Sequence, residues 1–550
     1  MQPSTLAKRG SLFLFLVIVA FYLYGLGQFP LLGPDEPRYA QVALEMFLRN
    51  DLITPTLGGH LWFEKPALLY WMMIASYKLF GVSEWSARFP SALSGILTIA
   101  GVFLVGRRVE ETTADGQLRG LGFWSALAAS TTLGIVVFSR AASFDIVLTM
   151  TITWSLAFLF LHELEEARKR RQILLIGFYV FIGLSLLAKG FIGAFIPAGV
   201  AGAYYLLRRR QPERETLLSL VWGIPVALLV AATWYAPVIW RHGKPFIDQF
   251  VWQHQFARYV SNNYRHPGPI YYYLAILIPL SLPWTSFLIG GVARACSWVW
   301  RPQNYSGDSG NKLVVFAFVW LLLPLVFFSF SSSKLPGYIL PSLPAAALLV
   351  GERLARFNTD LESYAWKLKT SAGLLILGAV AIIAYAWRFE PGMLNCAALV
   401  AAILVVGACV ALFPIRRRAI PVMFIAVTTL GVVLTVLSCG ADAYADRDSS
   451  KRLLQLADAR GYSQKPIYGL KLDDRSPEFY TAGRVIYGPD GEPVIYEGAP
   501  QLVNECRRRR TVLLAFVPLH AVSELQSAHA AHTEIIGDNG RVALVAVRPR

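Results

Sequence analysis

Two carboxylates, Asp35 and Glu36, stand directly before Pro37 in LGPDEPRYA and open a polar island, Gly33 to Pro66, in an otherwise apolar chain. Acids in such a place can orient a sugar, pair with an amine or take a proton from an attacking group. The island closes on Glu64-Lys65-Pro66. A lysine there either snorkels toward water or meets a lipid phosphate at the membrane boundary. A third acid, Asp145 in SRAASFDIVLTM, heads an apolar run and is either interfacial or faces the same cavity as Asp35. Between Trp252 and Tyr273, the segment WQHQFARYVSNNYRHPGPIYYY gathers His254, Arg258, Arg265 and His266 among aromatic residues. Cations with neighbouring aromatics suit an anionic head group on a sugar, although an aromatic belt explains the tyrosines equally well. Lys334 and Tyr338, in SSSKLPGYILP, add a further cation and hydroxyl between two apolar stretches. Glu64 with His254 or His266 could hold a divalent metal such as zinc, yet three ligands at a diagnostic spacing are lacking.

The elements that must position these groups follow from hydrophobic period. Tyr39, Val42, Ala43, Met46 and Phe47 recur at the spacing of an amphipathic helix, which is too short and too charged to cross a bilayer. It is expected to lie along the membrane surface with Asp35 and Glu36 at its N-terminus. A plainer reading has Glu36 as the helix cap with Pro37 at the first helical position.

Hydrophobic residues make up 55% of the 550 positions and charged residues 16%, a balance that excludes a soluble enzyme of this size. The net charge of +16 does not point to nucleic acid, because the basic residues fall in short clusters between apolar segments, as in cytoplasmic loops. About fourteen apolar segments qualify as spans, at 11–30, 67–81, 89–106, 119–138, 145–162, 173–188, 190–207, 217–239, 270–292, 312–330, 336–351, 370–387, 395–414 and 419–438. Fourteen full crossings cannot put every basic cluster inside. Segment 67–81 is short and carries Lys78, so it is read as not crossing; about thirteen crossings then remain, with the N-terminus inside and the C-terminus outside. The outer face receives 31–90, a loop before Asp145, a turn at Lys189, 240–269 and 331–341. The expected domains are a helical membrane bundle over 1–439, with 31–90 as its first periplasmic loop, and a small soluble α/β domain over 440–550, where short β-like runs alternate with turns.

The order LGPDEPRYA, FEKP, Asp145 at a span edge, RY…YRHPGPIYYY and SKLPGYILP resembles the polyprenyl-phosphate sugar transferases with a GT-C type fold. That group includes protein O-mannosyltransferases and the aminoarabinose transferases that modify lipid A. The resemblance covers essentially the whole chain, and the FEKP loop end, the KLPxYIL turn and the compact C-terminal domain look most like the lipid A 4-amino-4-deoxy-L-arabinose transferases of Gram-negative bacteria. It implies a multi-pass inner-membrane enzyme, working as a monomer with its site facing the periplasm. The implied reaction moves the amino sugar from undecaprenyl phosphate to lipid A phosphates and so confers resistance to polymyxin and cationic peptides. It further implies that Asp35 and Asp145 shape the catalytic cavity, while Lys65, Arg258 and Tyr338 engage the carrier phosphate, with Glu36, His266 and Lys334 as further substrate contacts. The pair here is Asp-Glu, so a strict Asp-x-Asp metal motif is absent and no cofactor is obligatory. Two rivals stand beside this reading: a transferase acting on a protein acceptor, and a transporter of lipid-linked sugars. No inverted repeat supports the latter.

Overall fold

The structure is a computed structural model that describes residues 15–113, 118–257, 268–300, 308–357, 365–413, 418–440, 447, 449–472, 475–481, 483–527 and 531–549. In chain order, helices α1 (Asp35–Leu48) and α2 (Leu68–Phe80) flank a small hairpin of β1 (Thr56–Leu57) and β2 (His60–Leu61). Then come α3 (Glu84–Thr112), α4 (Leu121–Thr131), α5 (Leu133–Ser139), α6 (Phe144–Leu164), α7 (Arg168–Lys189), α8 (Ile192–Leu207) and α9 (Arg214–His242). After a π-helical stretch, Ile247–Ala257, follow α10 (Tyr272–Leu280), α11 (Thr285–Trp300), α12 (Ser309–Ser329), a 3-10 turn (Pro336–Ser342), α13 (Leu343–Phe357), α14 (Ala365–Phe389), α15 (Leu394–Leu412) and α16 (Ala419–Cys439). The last part holds α17 (Lys451–Ala459), β3 (Ile467–Leu470), α18 (Pro477–Tyr480), β4 (Ile495–Tyr496), α19 (Ala499–Arg509), β5 (Leu513–Pro518), α20 (Val522–Ser527), β6 (Ala531–Asp538) and β7 (Val542–Pro549).

By packing, the chain divides into two compact units: Met1–Tyr24, Glu64–Leu69 and Arg88–Val436 form one, and Gly25–Phe63, Tyr70–Ala87 and Leu437–Arg550 the other. The first unit is a helical bundle. Among the described residues, eight helices are long and apolar enough to cross a membrane, or nine if the bent pair α4 and α5 counts as one span. The bend of 59° falls where Thr132 takes an extended conformation. The neighbouring chain holds it there: the Leu133 amide donates to the Leu282 carbonyl at 2.9 Å, and the Trp284 indole donates to Thr131 Oγ1 at 2.9 Å. Besides this bent pair, two further expected spans differ from the observed elements. Segment 270–292 is broken between α10 and α11, since Pro283 cannot donate to a helical ladder, and 336–351 begins as a 3-10 turn before α13. Helix α2 has 13 residues, about 20 Å at 1.5 Å per residue, which is short of a hydrocarbon core of about 30 Å.

In the second unit, helix α1 starts at Asp35 rather than after it, with Pro34 at the N-cap position. Glu36 therefore does not cap: it is buried, and its Oε2 accepts from the Leu32 amide at 2.8 Å, which fixes the entering loop. The face read from period is the buried one, with Tyr39, Val42, Ala43 and Met46 all inside. Glu45 ties α1 to the hairpin by accepting from Thr56 Oγ1 at 2.6 Å and from the Gly58 amide at 2.8 Å. Helix α1 also packs on α18, where the Leu31 amide donates to Tyr480 Oη at 2.7 Å.

A five-stranded sheet, in the order β4-β3-β5-β7-β6, organises the C-terminal part of this unit. Strands β3, β4 and β5 run parallel, whereas β7 is antiparallel to both β5 and β6. Both faces are covered, so the central strands read as continuous apolar runs. Leu513, Ala515 and Val517 enter one core with Val545 and Val547, while Leu514 and Phe516 enter the other with Leu544 and Ala546. Strand β6, AHTEIIGD, escapes a reading by β-propensity because it is an edge strand rich in polar residues. The run Val485 to Tyr487 makes only isolated bridges.

Candidate functional site

In the bundle, Asp145 and Lys189 are brought together by the ends of two packed helices. Ser143 caps α6, its hydroxyl accepting from the Asp145 amide at 3.1 Å, and this places the Asp145 carboxylate in the first turn, where the helix dipole favours negative charge. Lys189 is the last residue of α7, the end that favours a cation, and Gly190 stops the helix with φ at +74°. The Lys189 ammonium donates to Asp145 Oδ1. Its Nζ also stands 4.5 Å from the centroid of the Tyr338 ring, a cation over an aromatic face. Tyr338 is carried by the 3-10 turn and packs against Phe328 of α12 in a tilted pair with centroids 5.0 Å apart; Phe328 in turn meets the buried Tyr273 of α10 at 6.2 Å. Three segments thus bring a carboxylate, an ammonium and a phenol into one group, and α12 and α10 back it.

Gly337 is what lets the turn approach. A Cβ added there would lie 2.1 Å from Asp145 Oδ2, so no other residue fits without moving the carboxylate. Asp145 and Lys189 keep 20% and 17% of their side-chain surface open, which leaves the pair reachable by a substrate. Lys334, in the same turn region, is buried and donates to the Ser331 carbonyl. Glu64 and Lys65 are also buried, and Lys65 Nζ stands 2.6 Å from Glu64 Oε1. A buried carboxylate engaged with a lysine is a poor start for a metal centre, and among the described residues no three His, Cys, Asp or Glu side chains gather as a ligand set. His254 lies in the π-helical stretch, where its side chain is half-buried. Arg258 and His266 lie outside the described residues.

The other unit carries Asp35, and here the acid pair separates in character. Asp35 keeps 56% of its side-chain surface exposed and pairs with Arg38, whose guanidinium stacks 5.4 Å from the Trp62 ring. Glu36, buried and hydrogen-bonded to the loop, serves the backbone instead. Deeper in this unit, Glu478 accepts from Arg475 Nη1 at 3.1 Å and from Tyr487 Oη at 3.1 Å, and burial pushes its carboxyl up against the pull of Arg475.

Of the residues singled out by sequence, the bundle groups Asp145 with Tyr338. The partners that sequence reasoning passed over are Lys189, noted only as a turn, and Gly337. The signal for Lys189 was available: it is a charge followed by glycine between two apolar runs, with a polar cavity as its natural destination.

Comparison with known proteins bears on family and fold. The family described as dolichyl-phosphate-mannose-protein mannosyltransferase matches residues 64–240. An undecaprenyl phosphate-alpha-4-amino-4-deoxy-L-arabinose arabinosyl transferase of Pseudomonas fluorescens is 32% identical over 381 residues, covering 68% of this chain and 66% of its own length. The transferase of the same description from Pseudomonas aeruginosa is 32% identical over 378 residues, covering 68% of this chain and 64% of its own. The matched stretch thus spans a little under two thirds of these relatives' length. In fold, the chain is similar to the crystal structure of ArnT from Cupriavidus metallidurans bound to undecaprenyl phosphate, with a TM-score of 0.81, 23% identity and 98% of each chain covered. The oligosaccharyltransferase of Archaeoglobus fulgidus is more distant, at a TM-score of 0.52 and 11% identity over 94% of this chain and 71% of its own.

Proposed function

Since the chain belongs to the polyprenyl-phosphate-dependent GT-C glycosyltransferases, we propose that it is an integral membrane enzyme moving 4-amino-4-deoxy-L-arabinose from undecaprenyl phosphate to a phosphate of lipid A. The observation that carries this reading is the group formed by Asp145, Lys189 and Tyr338 at the ends of apolar helices. A lipid tail can lie along the bundle there while its charged head enters among polar side chains. In the proposed step a lipid A phosphate oxygen attacks the anomeric carbon, the bond from that carbon to the carrier phosphate oxygen breaks, and the carrier leaves with the electron pair. Cations stabilise the charge that develops on the departing phosphate. A phosphate acceptor has a second pKa of about 6 and is largely dianionic at neutral pH, so no strong general base is required. Asp145 then holds Lys189 in place and orients the sugar rather than removing a proton.

Orientation with the site facing the periplasm, placement in the bacterial inner membrane, action as a monomer and resistance to polymyxin belong to the same proposal. The test is to incubate purified protein in detergent with undecaprenyl-linked aminoarabinose and lipid A, then measure released undecaprenyl phosphate and modified lipid A. Both products are expected in equal amounts. A transporter releases neither without a second compartment, and that outcome would sink the enzymatic reading. A second acceptor arm is warranted because the match over 64–240 carries a protein mannosyltransferase description: transfer to a serine or threonine peptide in place of lipid A would move the protein to that branch. A chelator arm tests zinc on Glu64 and His254, with unchanged turnover expected.

A further inference from the structure

Lys189 owes its place to the end of α7, and a phenol from a neighbouring helix is built into that end. The last carbonyls of a helix depend on the chain beyond it, or on side chains, for their donors. In α7 the Leu186 carbonyl uses both of its lone pairs: it accepts from the Gly190 amide at 2.9 Å and from the Tyr235 hydroxyl of α9 at 3.0 Å. Helix α9 comes this close because position 183, one turn earlier, is glycine; a Cβ added there would lie 2.6 Å from the Ala227 carbonyl oxygen. Leu186 precedes Lys189 by three positions, one turn along the same side of the helix. Phenylalanine would fill the space of the Tyr235 ring equally well. What the hydroxyl adds is one bond, and that bond goes to the turn that carries Lys189.

The ring of Tyr235 is itself held by an aromatic group. Trp234 and Tyr235 have centroids 5.0 Å apart, and Phe246 and Phe250 stack at 5.2 Å with their planes 8° apart. Tyr235 meets Phe250 at 5.7 Å, and Trp234 meets Phe246 at 5.5 Å. Trp234, Phe246 and Phe250 are all buried. Phe250 belongs to the π-helical stretch Ile247–Ala257, and Phe246 directly precedes it. Helices of this kind are rare, most are single turns, and they recur at functional sites, so a run of 11 residues needs side chains packed against it to persist. A ring in a close-packed group cannot shift unless its neighbours give way. The π-helical stretch, the phenol and the end of α7 thus form one mechanical chain that ends at Lys189, whose ammonium pairs with Asp145 and lies over the Tyr338 ring.

We infer that Tyr235 is a positioning residue for Lys189: its hydroxyl fixes the last turn of α7, and its ring makes that hold depend on the π-helical stretch. What Lys189 does in the reaction rests on the proposed transfer, so the lysine is first read by itself. Full-length protein in detergent is labelled with limiting acetic anhydride, and acetylation of Lys189 is measured by mass spectrometry against Lys169, exposed at the start of the same helix, and Lys312, half-buried in α12. Tyr235→Phe, which removes only the hydroxyl, should raise the ratio of Lys189 to Lys169 labelling roughly fivefold, the factor that one ordinary hydrogen bond is worth, with Lys312 unchanged. Phe250→Leu, which keeps the hydroxyl but loosens its ring, should move Lys189 in the same direction and keeps the test open if Tyr235→Phe does not fold. In the same preparations Tyr235→Phe should lower kcat by a similar factor with little change in KM for the undecaprenyl-linked donor, because the hydroxyl serves a backbone carbonyl. An unchanged Lys189 ratio in both folded variants would overturn the role of Tyr235. A rise at Lys312 as large as at Lys189, which is general loosening, would do the same, as would a raised ratio with wild-type kcat. Wild-type protein that releases no product fails the transfer reading instead, and the labelling ratio still decides whether Tyr235 holds Lys189.

Discussion

At the scale of single residues, the close contact of Gly337 with Asp145 gives the sharpest test. Gly337→Ala drives a methyl group to within 2.1 Å of Asp145 Oδ2, so the carboxylate must leave its place beside Lys189. Turnover should fall by about one to two orders of magnitude, as expected for a displacement of about 1 Å in a positioning group, with membrane expression retained. Asp145→Asn should reduce turnover at least as far; full activity in both variants would remove this group from catalysis. The acid pair on α1 makes a second test, because Asp35 is exposed while Glu36 is buried and bonded to Leu32. Asp35→Ala is expected to lower turnover at normal protein level. Glu36→Ala should instead lower stability by the roughly 1–3 kcal/mol that accompanies a lost hydrogen bond to a charged group, seen as a lower melting temperature, with activity partly kept. The reverse pattern would exchange their roles. For the carrier, Lys65→Ala and Arg258→Ala should each weaken binding of undecaprenyl phosphate by about 1.5–3 kcal/mol, the range for a charge-assisted hydrogen bond. A titration in detergent that finds wild-type affinity in both would take them out of the site.

At the scale of elements, the C-terminal sheet shows how one carboxylate can couple stability to pH. Helix α19 ends in three arginines, and Glu505 in its middle lies 2.8 Å from Arg508 Nη2 and 2.6 Å from Arg509 Nε. The hydrogen bond from Arg508, supported by Arg509 and opposed by burial, holds the Glu505 carboxyl down at about 2, against an ordinary value of 4.5. A depressed folded value means that the contribution is fully present above the ordinary value and is lost as pH falls through the folded one. The melting temperature of this part should therefore drop between about pH 4.5 and pH 2, and Glu505→Gln should flatten that slope. An identical acid profile in the variant would show that Glu505 is not the linked group. The sheet also shows why element existence was more legible than element count. The apolar runs of β5 and β7 announce strands covered on two faces, while β6 gains its strand conformation from pairing with β7 and carries little propensity of its own.

At the scale of the whole molecule, the distribution of positive charge makes a claim that packing alone does not. Reporter fusions after Arg171, Arg210 and Arg418 should read as cytoplasmic and one at Ser463 as periplasmic. A cytoplasmic signal at Ser463 would mean that the segment containing α2 crosses the membrane after all. Much of the architecture was present in the sequence because its causes are local. Composition required a membrane bundle, period 3.6 placed the buried face of α1, and short β-like runs after Gly440 announced a C-terminal sheet. These follow from side chains and neighbours a few positions away, which any folded context preserves. The grouping of Lys189 with Asp145, 44 positions apart, and their approach by Gly337 have no local cause. Lys189 is a helix-end lysine until α7 packs against α6, and Gly337 is a turn glycine until its backbone meets a carboxylate. Glu36 kept its capping composition yet lost that role, because the helix began two residues earlier and burial gave its side chain a loop amide to satisfy. Sequence determined which residues could do chemistry and which elements would carry them; the packing of helix ends decided which of them meet, because contact across a bundle depends on every intervening turn and crossing angle at once.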